Sequence, residues 1–319
     1  VGTEAGEDSI ITFDMGGTTA KLGAVDDGIP AITPTFEVDP IRYRPGSGLP
    51  INVPAIELLE IGAGGGSIAR TEFGVIHIGP ESAGAEPGPI CYGLGGQYST
   101  ITDANLVLGR IPPHLLGGEV PLTVEFAKKA IVEAVAHPLG LSLIDAAAGI
   151  LDIVNNNMVG ALKVVSVEKG YDPTDFVLIA YGGAGPMHAS ELSRQLGTRG
   201  VLIPHFPGVL CAAGLLASDL QYDFVRTCLQ RASNYDLDVM KTVLVELSIQ
   251  ADQKLTVANV KHSDRELTCF ADIRYAKQGY ELTVPFSRQD LDQHVIDDLI
   301  GASHARPPQL HPFCHPSPE

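Results

Sequence analysis

The 319-residue chain carries 38 acidic side chains against 21 lysines and arginines, and 45% of its residues are hydrophobic. This composition predicts a globular protein with one large core or two modest ones. The net charge of −17 disfavours a nucleic-acid groove or an anionic membrane surface as partner. We read no apolar run as long enough to span a bilayer and no secretory signal at the N-terminus, and the five cysteines show no CxxC pairing. We therefore expect a cytoplasmic protein with reduced thiols, which holds any anion through backbone amides and a few cations.

The first predicted element is a buried strand that ends in a glycine turn, within ITFDMGGTTAKLGAV at residues 11–25. Glycines tolerate positive φ and bring no Cβ, so backbone amides after the strand can converge on a phosphate. The candidate phosphate-binding residues are Gly16, Gly17, Thr18, Thr19 and Lys21. Asp14 at the strand end is the candidate Mg²⁺ ligand, acting through water, and a candidate catalytic residue.

The spacing of this turn matches neither a Walker A loop nor GxGxxG, and an alternating strand rather than a helix follows it. We therefore predict a phosphate-binding hairpin between two strands. Taken alone, the motif favours a plain β-turn with incidental glycines.

Residues 44–118 are rich in glycine and proline, which predicts short strands and loops. Within AGGGS at residues 63–67, Gly64 and Gly65 are candidate contacts for a substrate or phosphate, but glycines also serve tight bends. Asp103, in ITDANLVLG, is a candidate for positioning water or metal in catalysis, and an N-cap role fits it as well.

Helical periodicity begins at Thr123 and stops near 138–140, and a longer helix is predicted over 142–169. A buried strand then leads into AYGGAGPMHA at 180–189, where a glycine turn opens a helix whose first amides are free. The turn residues are Gly182, Gly183, Ala184 and Gly185. Another short strand and helix follow, and strands alternating with helices predict an α/β core. Two strand-glycine turns favour a nucleotide ligand, although tight strand-helix packing would demand the same glycines.

After about residue 230 the pattern changes to a helix over 235–258 and two alternating runs, CFADIRY and YELTVP. These predict a small α+β module. The end of the chain is rich in proline and histidine without apolar periodicity, and we predict disorder over 291–319.

Seven motifs, in this order, resemble the hydantoinase A/5-oxoprolinase family over residues 10 to about 286. They are FDMGGTTAK, IGAGGGSIA, GPESAGAEPGPICYG, TDANLVLGRI, YGGAGPMHA, GVLCAAGLLASD and ADIRYAKQGYELTVP. The resemblance implies an α/β, actin-like ATPase core, as in sugar kinases and heat-shock ATPases, with ATP in a cleft between two duplicated halves. The expected division is a core fragment at 1–230, the start of a C-terminal α+β domain at 231–290, and a divergent tail at 291–319.

The same resemblance implies ATP-dependent ring opening of a cyclic amide such as a hydantoin, 5-oxoproline or a lactam. ATP and Mg²⁺ are the expected cofactors, a hydantoinase B-type subunit the expected partner, and an oligomer the expected state. Relatives also serve as ketone carboxylase subunits, so a carboxylase or a non-catalytic, partner-dependent subunit is the alternative. A sugar-kinase-like phosphotransferase is disfavoured, because SAGAEPGPICYG and TDANLVLG resemble the amide hydrolases.

Carried over by position, the family's second phosphate loop falls on Asp14 and the 16–19 turn, and its adenosine-side turn on residues 182–185. An earlier loop, DxGGTxTD, precedes these in the family pattern. We therefore expect that residues before Val1 are missing and that one duplicated half is largely absent, which makes activity of this fragment alone doubtful. Lys21 stands where many relatives carry an acidic residue, which leaves its role open.

Two further residues invite functional hypotheses with simpler alternatives. Cys91 could be a nucleophile, but no partner histidine is evident and a small buried thiol is the favoured interpretation. His188 could face the cleft, but a packing histidine is favoured.

Overall fold

The computed structural model describes residues 1–33, 36–38, 47–51, 55–275, 281–287 and 291–305. The chain divides into two compact units, Val1–Ala217 and Ser218–Glu319. The division lies before the boundary at residue 230 that the sequence suggested.

The first part of the first unit is built from strands. Those described are β1 (Ile10–Met15), β2 (Ala20–Asp26), β3 (Ile29–Pro30), β4 (Ile32–Thr33), β5 (Phe36–Val38), β6 (Leu49–Ile51), β7 (Ala55–Ile56), β8 (Leu59–Ile61), β9 (Ser67–Glu72) and β10 (Val75–Ser82). The short strands pair as β4 with β7 and β5 with β6, and β9 pairs with β10, all antiparallel.

Helices dominate the rest of the first unit. Its elements are α1 (Ile101–Val107), β11 (His114–Leu115), β12 (Val120–Pro121), α2 (Val124–Ile131), α3 (His137–Leu139), α4 (Leu143–Val165), β13 (Val177–Tyr181), α5 (Gly185–Leu196), β14 (Gly200–Leu202) and α6 (Leu210–Ala217). A π-helical segment, Val132–Ala136, joins α2 to α3, which ends at Gly140 with φ 65°. These bounds agree with the predicted helices from Thr123 and from Ser142.

The central sheet of this unit has the strand order β14-β13-β1-β2-β3, with β8 also paired to β2. β1, β13 and β14 run parallel, while β2 is antiparallel to β1, β3 and β8. The turn from β2 to β3 contains Asp27 and Gly28, both at positive φ (49° and 75°). Positive φ at both positions is the hairpin geometry that an Asp-Gly pair favours.

Alternation along β1 decides which face of the sheet is buried. Ile11, Phe13 and Met15 have no exposed surface, whereas Thr12 and Asp14 between them are partly exposed. The buried face packs in one core with α4 and α5. Thr12 and Asp14 therefore lie on the face away from this core.

Helix α4 is the main helix of that core. Ser142 is its N-cap, whose hydroxyl accepts from the amide of Asp145 at 3.1 Å. With the turn that follows it, Leu143–Lys169 is long and apolar enough to cross a membrane by length and composition, contrary to our reading of the sequence. More than half of the apolar window is buried inside the fold, and packing against the sheet accounts for its composition.

The second unit contains α7 (Leu237–Val257), the antiparallel pair β15 (Cys269–Ile273) and β16 (Leu282–Phe286), and α8 (Gln293–Ala305). Ile296 and Leu299 of α8 are buried in a small core with Val284. The prediction of disorder from residue 291 is therefore wrong for 293–305, because the apolar side chains of this segment close that core. Residues 306–319 lie outside the described part of the chain.

Candidate functional site

The predicted phosphate hairpin is a turn between two antiparallel strands. β1 and β2 pair as far as Met15 opposite Ala20, and the amide of Gly16 donates to the carbonyl of Thr19 at 3.1 Å. Gly17 and Thr18 at the tip are exposed, and their amides donate to no described residue. The strand-turn-strand prediction is confirmed, and the tip leaves donors free for a ligand.

The 63–67 loop packs directly on this turn. Gly65 donates its amide to the carbonyl of Gly16 at 3.0 Å, and Gly66 donates to that of Gly17 at 2.6 Å. A Cβ on Gly64 would lie 2.5 Å from the backbone nitrogen of Thr18. Because only glycine allows this approach, the loop acts as a support that fixes the turn, which favours the bend interpretation for Gly64.

The second glycine turn, 182–185, lies beside the first because β13 runs parallel to β1, with Tyr181 opposite Asp14. The amide of Ala184 donates to the carbonyl of Met15 at 2.9 Å. Gly182 has a φ of +80°, and a Cβ there would lie 2.5 Å from Oδ1 of Asp14. The two turns thus touch at the carboxyl ends of adjacent parallel strands, where α/β sheets bind ligands.

The three glycine segments therefore converge at one edge of the sheet. Helix α5 begins there at Gly185, and the amides of Gly183 and Gly185 donate to no described residue. Gly183, just before this helix, and Gly17 and Thr18 at the tip of the 16–19 turn are exposed, and their amides form a surface that suits an anion.

A row of polar residues crosses the open face of the sheet next to the turn. Register places Tyr181 and Lys21 on either side of Asp14, and Glu60 of β8 opposite Lys21. Cross-strand neighbours share a face, so the four residues form one row. We had identified Asp14 and Lys21 from the sequence but not Glu60 or Tyr181.

Lys21 lies within contact of both the turn and Glu60. Its Nζ is 3.2 Å from Oγ1 of Thr19 and 3.2 Å from Oε1 of Glu60. The pKa of Glu60 is lowered, first by a hydrogen bond from Thr19 and then by Lys21, against the effect of burial. Both charged side chains are about half exposed, so the pair contributes little to stability. The pair is relevant to the site because it lies beside the 16–19 turn.

Asp14 has a second neighbour in Cys211, at the start of α6. The thiol Sγ donates to Oδ2 of Asp14 at 3.5 Å. Burial, and then the charge of Asp14, raises the pKa of Cys211, which keeps the thiol protonated. The same two causes raise the pKa of Tyr181 to about 12, so both neighbours stay neutral beside the carboxylate.

Asp103, predicted as a catalytic or capping residue, is fully buried. Its carboxylate accepts from the amide of Cys91 at 2.9 Å and from the amide and hydroxyl of Thr100 at 2.8 and 2.7 Å. The N-cap of α1 is Thr100, and Asp103 is the third helical residue of a capping box. The N-cap assignment is therefore wrong by three positions. The described contacts give Asp103 a structural role, and its catalytic role stays a prediction.

Thr102, next to Asp103, does contact the site. Its amide and its hydroxyl each donate to the carbonyl of Gly65 at 2.8 Å. Through this residue α1 anchors the supporting loop, a role that the sequence did not indicate.

Cys91 and His188 are both buried, as their simpler interpretations predicted. Burial raises the pKa of Cys91, and neighbouring Asp103 adds to the effect, so the thiol is a poor nucleophile. Nδ1 of His188 lies 2.8 Å from Oδ1 of Asn155 in α4. Burial, and then Arg110, lowers the pKa of His188 to about 4, so the ring is neutral at pH 7.

Within the described ranges, no group of three or more His, Cys, Asp or Glu side chains is arranged to hold a metal ion. A single carboxylate beside a turn with free amides is still compatible with Mg²⁺, since that ion is usually bound through one or two carboxylates plus substrate phosphates and water. Asp14 is the described carboxylate that meets this condition.

Residues 1–224 match the family described as hydantoinase/oxoprolinase. The chain is 39% identical over 317 residues to the caprolactamase subunit alpha of Pseudomonas jessenii, which covers 98% of this chain and 44% of that protein. It is 32% identical over 290 residues to 5-oxoprolinase of Dictyostelium discoideum, covering 86% of this chain and 22% of that one.

Solved structures give the same result. The ATP-dependent caprolactamase from Pseudomonas jessenii matches with a TM-score of 0.74 and 37% identity, over 100% of this chain and 46% of that chain. A nucleotide-free acetone carboxylase structure matches with a TM-score of 0.79 and 27% identity, over 97% and 46% respectively. The chain thus spans less than half the length of these relatives.

Proposed function

Because the chain belongs to the hydantoinase/oxoprolinase family, we propose that it binds the phosphates of ATP and takes part in ATP-dependent ring opening of a cyclic amide. The observation that carries the proposal is the convergence of the 16–19, 63–67 and 182–185 segments at one edge of the sheet. In two of these segments, a Cβ would collide with the backbone of the neighbouring turn.

The surface formed by the 16–19 and 182–185 turns suits a phosphate chemically. Exposed amides at Gly17, Thr18 and Gly183 supply donors without a side chain in the way, and the Thr18 hydroxyl adds another. We assign Gly182, Ala184 and Gly185, at and just before the start of α5, to the adenosine side, as the family resemblance implies. Thr19 already contacts Lys21, so its hydroxyl orients the lysine.

Asp14 would hold Mg²⁺ through water beside these phosphates. Its Oδ2 is partnered by the neutral thiol of Cys211 in α6 and its Oδ1 lies against Gly182, so the position of the carboxylate is fixed by α6 and the 182–185 turn. A fixed carboxylate next to free amides matches the way Mg²⁺ and phosphate are bound together.

The mixed sheet supports the actin-like ATPase core that the sequence motifs imply. An antiparallel hairpin carries the phosphate turn, and two parallel strands end beside it. This chain then supplies the half that carries the second phosphate loop.

The substrate class follows from the relatives. Caprolactamase and 5-oxoprolinase are named for cyclic amides. When bound, ATP supplies a phosphoryl group that can activate the oxygen of such a poor electrophile. The residues of this chain would bind the phosphates, fix Mg²⁺ at Asp14 and exclude side chains from the transfer site.

A ketone carboxylase subunit is the second candidate, favoured by the TM-score of 0.79 to acetone carboxylase. Sequence identity is higher to caprolactamase, 37% against 27% for the two solved structures. We therefore place the hydrolase first. Relatives of both kinds are named as subunits, and we propose that this chain also works with a second, B-type subunit.

The test is coupled ATP consumption and ring opening with a panel of lactams, hydantoins and 5-oxoproline, with and without a B-type partner. We expect ADP to form in step with one ring-opened product. ATP consumption that stays uncoupled from every ring opening, with and without the partner, would contradict the hydrolase. Coupling to carboxylation of a ketone would establish the second candidate instead.

A further inference from the structure

We propose that Glu60 controls the metal dependence of phosphate binding, by holding Lys21 away from a phosphate that arrives without a divalent cation. The inference rests on the proposed nucleotide site and adds a residue that the sequence motifs do not identify. Its basis is the polar row Tyr181–Asp14–Lys21–Glu60 on the open face of the sheet.

Lys21 carries the positive charge of that row and lies next to the 16–19 turn. Its Nζ contacts Oγ1 of Thr19 at 3.2 Å, and the amide tip begins at the next residue, Thr18. A lysine ammonium is a point charge on a flexible stem, so it can reach a phosphate held at this tip.

Glu60 pairs with Lys21 at the base of the turn. The carboxylate lies 3.2 Å from Nζ of Lys21, and the same Nζ donates to Oγ1 of Thr19 at 3.2 Å, so Glu60 and Thr19 together hold the ammonium group. Any phosphate that takes Lys21 must break or share these contacts.

The charges of the row then determine whether the metal-free nucleotide or its Mg²⁺ complex binds more tightly. Lys21 has a carboxylate on either side, Asp14 in β1 and Glu60 in β8, so the row presents two negative charges and one positive. While Lys21 stays paired with Glu60, its charge is not available to a metal-free polyphosphate, whereas a Mg²⁺ complex brings its own compensating charge. Glu60 thereby favours the metal complex over the free anion.

The experiment compares ATP and ADP binding by calorimetry, with excess Mg²⁺ or with EDTA, for the 319-residue chain and its Glu60→Gln variant. Glu60→Gln keeps the shape and removes the charge. We expect it to tighten metal-free binding by about threefold to fivefold, the effect of one partly exposed charge pair, and to leave Mg²⁺-nucleotide binding nearly unchanged. The ratio of the two dissociation constants is the readout, since a loss of structure would weaken both.

Two further variants keep the result interpretable. Glu57→Gln is the matched control, because Glu57 is similarly exposed but pairs with Lys169 at 2.5 Å instead of with Lys21. This variant should leave the ratio of the two dissociation constants unchanged. In a Lys21→Gln background the effect of Glu60→Gln should largely disappear, since it acts by releasing Lys21.

An unchanged ratio in Glu60→Gln, with nucleotide still bound in Mg²⁺, would overturn this inference and leave the proposed function intact. The same effect with Lys21 replaced would also overturn it, by showing that the lysine is not involved. If no variant and no wild-type sample binds nucleotide with Mg²⁺, the nucleotide site itself fails, and this inference fails with it.

Discussion

Gly64→Ala tests whether the supporting loop fixes the phosphate turn. The added Cβ would lie 2.5 Å from both the carbonyl carbon of Gly17 and the nitrogen of Thr18, and 2.6 Å from the Gly17 oxygen. These are backbone atoms that cannot rotate away, so the loop and turn must separate by about 0.9 Å or more to restore an ordinary contact.

This separation would lengthen the two hydrogen bonds that join the loop to the turn, Gly65 to Gly16 at 3.0 Å and Gly66 to Gly17 at 2.6 Å. Overpacking costs about 1–3 kcal/mol, and weakening one hydrogen bond adds about 1 kcal/mol. We expect a loss of about 2–4 kcal/mol in the free energy of unfolding. For a unit of this size that corresponds to a Tm lower by about 4–16 °C.

The assay is thermal unfolding followed by circular dichroism, with Gly17→Ala as the matched control on the facing segment. A Cβ on Gly17 meets nothing within 4 Å and needs no positive φ, so its Tm should stay the same or rise slightly. If Gly64→Ala melts within about 1 °C of Gly17→Ala, the close approach does not exist as described and the reasoning is refuted.

Other predictions address single residues. Asp14→Ala should weaken Mg²⁺-nucleotide binding by about tenfold or more while Tm changes little, because the side chain lies on the open face; equal affinity in calorimetry would remove Asp14 from the metal site. Asp103→Asn should lower the Tm and the free energy of unfolding, the latter by about 2–4 kcal/mol, because a buried amide NH₂ would face the donors that the carboxylate now binds. Nucleotide affinity below the melting temperature should persist, and a loss of that affinity would favour a role of Asp103 in the catalytic site. His188 has a folded-state pKa of about 4, below the unfolded value of 6.5, so its contribution to stability is complete above pH 6.5 and is lost as pH falls towards 4. The free energy of unfolding by denaturant should therefore be about 2 kcal/mol lower at pH 5 than at pH 7.5 because of this residue. The His188→Gln variant should show a flatter pH dependence. A thiol reagent should label Cys211 in the native protein and leave buried Cys91 unlabelled until unfolding; Mg²⁺-ATP should slow the Cys211 reaction.

Local patterns were enough to predict much of the fold. The apolar run before Gly16 predicted β1 as a buried strand with Asp14 at its end, and the structure added that Asp14 lies on the face away from the core. The Asp27-Gly28 pair is of the type that favours the turn found after β2, because its two residues adopt the positive φ that the hairpin needs. Ser142 and Gly170 similarly marked the helical region that contains α4.

Long-range pairing was not predictable from these patterns. Glu60 reaches Lys21 because β8 adds to β2 after an excursion of more than 30 residues, and no local signal specifies that partner. The approach of the 63–67 loop to Gly17 is likewise a tertiary contact; its glycines are visible in the sequence, but the backbone that they avoid is not. The cap at Thr100 was missed because Asp103 is an equally good capping residue by type.

The difference between these two classes matters for the site. The residues found from sequence, Asp14 and the glycines of both turns, share a local context of strand followed by turn. Those found only in the structure come from distant elements: Glu60 of β8 and Tyr181 of β13 flank Lys21 and Asp14, and Thr102 of α1 anchors the supporting loop. A search for glycine turns alone would therefore recover the amides of such a site and miss the carboxylate of Glu60 beside Lys21.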